Sequence, residues 1–74
     1  MSPKLPGVSG REVIKALTKA GFRQASQRGS HVKMRHPSGR TAIVPLHDAL
    51  APGTLRSVLK QAGLTVEEFI TLLG

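Results

Sequence analysis

Apolar and polar residues alternate strictly along His31-Val32-Lys33-Met34-Arg35. Period two is the mark of a strand buried on one side, so this stretch predicts a strand over Ser30–His36. Val32 and Met34 turn toward a core, while one imidazole is lined up with two cations facing water. Ahead of it, Val13, Ile14 and Leu17 form one helical face behind Ser9 and Glu12, the Ser-x-x-Glu of a capping box, and Gly21 closes that helix. Arg11, Lys15 and Lys19 follow one another at intervals of four on the opposite face, a basic stripe that suits either solvent or phosphate contact.

Phe22–Gln27 alternates weakly and reads as a first strand, with Arg28 and Gly29 as a tight connection to the second. Pro37-Ser38-Gly39 is a turn cluster, and Arg40–Val44 is a third strand rich in Thr, Ile and Val. Connections this short make an antiparallel meander. Pro45 ends the pairing, and residues 46–51 lead to a second helix that starts at Pro52, carries Leu55, Val58, Leu59 and Ala62 on one face, and closes at Gly63. Thr65 and Glu68 repeat the capping box before a short last helix with Val66, Phe69, Ile70 and Leu73. The expected fold is therefore α+β, an αβββα order with a three-stranded antiparallel sheet, helices on one face and a short C-terminal helix, leaving the other sheet face wet. Residues 1–8, with two prolines and a glycine, are expected to be a flexible lead-in, and residues 9–74 a single domain.

Composition sharpens this picture. At 74 residues the core is small. Cysteine is absent, which excludes disulfides, thiolate metal sites and thiol nucleophiles. With no long apolar run and no charged start leading into an apolar segment, the expected location is cytoplasmic, with no membrane partner. Eleven Lys and Arg against four Asp and Glu give a net charge of +7. No acid lies between Glu12 and Asp48, an interval holding Lys15, Lys19, Arg23, Arg28, Lys33, Arg35 and Arg40. A field of one sign favours a polyanion, either nucleic acid or an acidic protein. The two aromatic residues, Phe22 and Phe69, both occupy core-type positions, which argues against a base-stacking platform.

With the element order, Gly29-Ser30-His31 and Val44-Pro45-Leu46-His47 in hand, the chain resembles the HicA toxins, also called the YcfA-like family. Lys19-Ala20-Gly21-Phe22, Pro52-Gly53-Thr54-Leu55 and Lys60-Gln61-Ala62-Gly63 match as well, so the resemblance covers roughly residues 9–70. It implies a fold similar to the double-stranded-RNA-binding domain and the activity of a metal-independent ribonuclease, an mRNA interferase, silenced by a HicB antitoxin. It also implies that His31 is catalytic, because His31 occupies the histidine of the family's Gly-Ser-His motif. Periodicity by itself supplies a wet-facing histidine between cations.

That histidine suits RNA, which carries its own nucleophile. A base takes the 2′ proton, the oxygen attacks the adjacent phosphorus, and an acid protonates the departing 5′ oxygen; no metal or cofactor is needed. Lys33, and with it Arg35, is expected to hold the phosphate, with Arg28, Lys15, Lys19 and Ser30 as further RNA contacts. Ser30 serves equally well as a turn residue, and Gly29 suits the backbone turn. His36, beside Pro37, reads as a structural turn residue. His47, in a loop, is a candidate for the second proton transfer, for antitoxin contact, or for structure alone. The spacing of His31, His36 and His47 matches no compact zinc motif, so no metal site is expected.

Two other functions fit the same charge. A noncatalytic double-stranded-RNA-binding module shares the fold and the basic stripe, and a pure interaction protein would use the cationic face only for another protein. In the toxin reading, mRNA and an acidic HicB-like antitoxin compete for that face.

Overall fold

The computed structural model describes residues 4–74, with elements in the order α1 (Gly10–Lys19), β1 (Arg23–Arg28), β2 (His31–Arg35), β3 (Thr41–Pro45), α2 (Pro52–Ala62) and α3 (Val66–Leu73). The strands form one antiparallel sheet in the order β1-β2-β3. Val32, Met34, Ala42 and Val44 point from β2 and β3 into a core completed by Val13, Ala16 and Leu17 of α1, Leu55, Val58 and Leu59 of α2, and Phe69 of α3. All three helices thus serve one sheet face, and the other stays open to water.

Two of the three helices begin where a side chain satisfies the first amides, and the third opens on a proline that has no amide to satisfy. Ser9 Oγ accepts from the Glu12 amide at 3.1 Å, and Glu12 Oε1 accepts from the Ser9 amide at 3.0 Å. Thr65 and Glu68 repeat the exchange at the start of α3, with distances of 3.1 and 2.9 Å. The Thr65 amide, and after it the Thr65 hydroxyl, hold the Glu68 carboxyl below the ordinary glutamate range. Pro52 opens α2, and Gly63 ends it in the left-handed region at φ 73°.

β2 is one residue shorter at each end than expected, and β3 runs Thr41–Pro45 rather than Arg40–Val44, so that Pro45 pairs with His31 instead of ending the pairing; two further segments differ more. The lead-in is anchored at its end: Val8 is buried, and its carbonyl accepts from the Leu50 amide at 2.8 Å. The reason is local, since Val8 directly precedes the N-cap Ser9 and Val13 is the fourth helical residue, the two positions of a hydrophobic staple, and both join the core. Leu5 packs against the same core, while Met1–Pro3 lie outside the described residues. The first strand runs Arg23–Arg28 rather than Phe22–Gln27, because Phe22 is drawn into the core and the tight turn is Gly29-Ser30.

The two sheet edges are unequal. On β3 the Ile43 amide points away from the sheet and donates to Gln61 Oε1 of α2 at 2.9 Å, and Pro45 has no amide to offer. On β1 every residue is exposed on both faces, so this strand overhangs the helical layer and its edge is open.

Candidate nucleic-acid interface

The β1–β2 hairpin sets the position of His31. Its loop is Gly29-Ser30, with Gly29 at φ +57° and Ser30 at negative φ, the pattern of a two-residue turn that needs glycine first. A β-carbon on Gly29 would meet nothing within 4 Å, so the requirement is conformational rather than spatial. The Ser30 carbonyl accepts from the Leu46 amide at 2.6 Å, tying the turn to the segment after β3. Within this frame Arg28 stands opposite His31 and His31 opposite Pro45, while Ser26, Lys33 and Ile43 form the next row. Burial along β2 alternates as the sequence predicted, with His31, Lys33 and Arg35 exposed.

Ser26, Arg28, His31, Lys33 and Ile43 line one shallow depression of about 320 Å³ on the open sheet face. Two cations flank the imidazole. No acidic residue occurs on any of the three strands, so the positive potential of this face is not neutralised within the sheet. An anion entering there meets Arg28 and Lys33 beside the His31 imidazole. Ile43 supplies a half-buried apolar wall.

The structure separates the remaining candidates. Arg35 shares the face of His31 but borders a second depression with Arg23, His36, Pro37 and Gly39. Ser30 and Gly29 belong to the turn and do not line the depression around His31. His47 is exposed in the β3–α2 loop, where its carbonyl accepts from the Gly10 amide at 2.9 Å, and it does not line that depression either. His36 is structural in its contacts: its ring lies 5.0 Å from Phe22, and Nδ1 accepts from the Ser38 amide at 3.0 Å.

Lys15 and Lys19 lie on α1, across the sheet from His31. Lys19 Nζ donates to the main-chain oxygen of Gly74 at 3.1 Å, which commits it to the end of α3. The basic stripe of α1 and the cationic strand face are two surfaces, not one. Sequence reading missed Ser26 and Ile43, whose place depends on cross-strand register. The two-residue hairpin would have supplied it, because counting outward from Gly29-Ser30 pairs Arg28 with His31.

A model of the HicA toxin of bacterial toxin-antitoxin systems matches residues 10–64, which takes in α1, the whole sheet and α2. A solved structure described as a toxin-antitoxin complex from Streptococcus pneumoniae contains a similar chain. The two are 36% identical, with a TM-score of 0.67 over 77% of this chain and 98% of that one. Comparison with curated proteins found no significant match. With a family model spanning well over half of its length and a toxin–antitoxin chain sharing its fold, this chain belongs to the HicA toxin family of toxin–antitoxin systems.

Proposed function

We propose that this toxin is a metal-independent endoribonuclease acting on mRNA, with His31 as its proton-transfer residue, and that a HicB-like antitoxin silences it. The observation that carries this reading is the single depression in which the His31 imidazole stands between Arg28 and Lys33, with no carboxylate on the sheet. A phosphodiester held by those two cations presents its 2′-hydroxyl or its 5′ oxygen to the imidazole. The 2′ oxygen bonds to phosphorus, the bond from phosphorus to the 5′ oxygen breaks, and the proton lost from the 2′-hydroxyl is matched by one gained at the 5′ oxygen. His31 serves one of these transfers and solvent, which reaches an open depression, serves the other. Arg28 and Lys33 stabilise the charge that grows on the phosphoryl oxygens.

Charge supports the partner assignment. A surface that attracts phosphates attracts carboxylates too, and an acidic antitoxin covering His31 excludes RNA by occupying the same cations. The chain similar to this one in the Streptococcus pneumoniae structure is likewise part of a toxin-antitoxin complex.

The test is incubation of the purified protein with single-stranded RNA in a chelator. The reading expects fragments ending in 2′,3′-cyclic phosphate. Retention of RNA without any fragments would make the protein a noncatalytic RNA-binding module instead.

A further inference from the structure

Strict alternation along β1 would place Arg23 on the inner face. Counting back from Arg28, which shares the open face with His31, residues 26 and 24 would face water and residue 23 the core. The pairing departs from this between Gln24 and Ser26, where an irregularity inserts Ala25 without a partner in β2. Beyond it the faces exchange. Gln24 stands opposite the buried Met34, and Arg23 stands opposite Arg35 on the open face. A bulge that re-aims one side chain in this way is a recurrent device beside functional surfaces.

Its result is costly to the free protein. Arg23 and Arg35 are direct cross-strand partners, a like-charge pairing that destabilises a sheet, and no acid on any strand offsets it. Both line the depression shared with His36, Pro37 and Gly39, on the same face as His31 and about 14 Å from it by the rise of four strand residues.

We propose that Arg23 and Arg35 form a second phosphate subsite, which takes the backbone of the bound RNA at a phosphate remote from the one cleaved beside His31. This rests on the ribonuclease reading for its substrate. The separation equals about four nucleotides stacked at 3.4 Å and fewer when extended, so a dinucleotide, with its one phosphodiester at His31, does not reach the subsite. An anion between the two guanidiniums removes their repulsion, and the strain of the free sheet becomes part of the affinity for RNA.

The experiment compares the parent with Arg23→Gln, Arg35→Gln and the double variant. In the free protein Arg23→Gln is expected to raise the melting temperature by about 1–5 °C, with the double variant gaining nothing beyond the better single one, as a shared repulsion requires. Inorganic phosphate should raise the melting temperature of the parent more than that of Arg23→Gln. On an octanucleotide kcat/KM should fall about tenfold, a loss exceeding that on a dinucleotide by a similar factor. Binding of the octanucleotide to His31→Ala protein, with and without Arg23→Gln, gives a readout independent of cleavage. If the parent cuts no RNA yet Arg23→Gln weakens this binding, the catalytic reading falls and the subsite stands. If octanucleotide and dinucleotide are affected alike, or if the variants lose affinity only for an acidic antitoxin, the subsite is overturned.

Discussion

The first residue of α1, Gly10, lies directly on the last residue of β3, Pro45. A β-carbon at position 10 would fall on the Pro45 carbonyl, 2.9 Å from its carbon and 3.0 Å from the Leu46 α-carbon. Pro45 is in turn the cross-strand partner of His31, so this contact clamps the helical layer to the end of the sheet that carries the imidazole. Main-chain atoms cannot swing aside as a side chain does. Gly10→Ala is therefore expected to cost about 1–3 kcal/mol of stability, the usual range for forcing an extra carbon into a packed site. Urea denaturation reads this directly, and an unchanged midpoint would show that the contact gives way freely.

His31→Ala should separate activity from stability. The side chain is exposed and lies outside the core, so the free energy of unfolding is expected to stay within about 0.5 kcal/mol of the parent. RNA cleavage should fall by roughly 10²–10⁴-fold, the contribution of one positioned proton-transfer group. Quantifying fragments under single-turnover conditions checks it.

Lys33 and Lys19 make opposite predictions although both are lysines. Lys33 borders the His31 depression, whereas Lys19 is bonded to the Gly74 main-chain oxygen across the sheet. In a His31→Ala background, Lys33→Gln should lower the dependence of log affinity for single-stranded RNA on log salt by about 0.7, one phosphate contact. Lys19→Gln should leave that slope unchanged. An equal decrease for both would mean that RNA also reaches the helical side.

Glu68 makes folding depend on acid. Its carboxyl titrates below the ordinary range because the Thr65 amide and hydroxyl favour the charged form. A depressed folded pKa means the unfolded chain takes up the proton first, so the stabilisation is full above the unfolded glutamate pKa and is lost as pH falls through the folded one. Glu68→Gln should flatten the stability-against-pH curve in that acidic window and leave its shape at neutral pH alone, as thermal melts across the range will show.

Much of this molecule is local physics and therefore readable in one dimension. Alternation in His31–Arg35 set three side chains on the wet face. Two capping boxes and Pro52 located the helix starts, and Gly21 and Gly63 their ends, because each of these devices acts within a few residues of itself. The motif around His31 pointed to the family.

What the sequence could not decide depends on contacts between distant segments. Composition made residues 1–8 look loose, but core space under the β3–α2 loop captures Val8. Charge alone groups Lys15 and Lys19 of α1 with the strand cations as RNA contacts, whereas in the fold they lie on the helical side of the sheet and His31 on the other. Counted back from Arg28, strict alternation puts Arg23 on the inner face, and only the pairing of β1 with β2, with its unpaired residue at Ala25, sets Arg23 opposite Arg35 on the open face. Spacing along a chain fixes which residues share an element's face, whereas the register between elements, set by the packing of the whole core, fixes which faces meet.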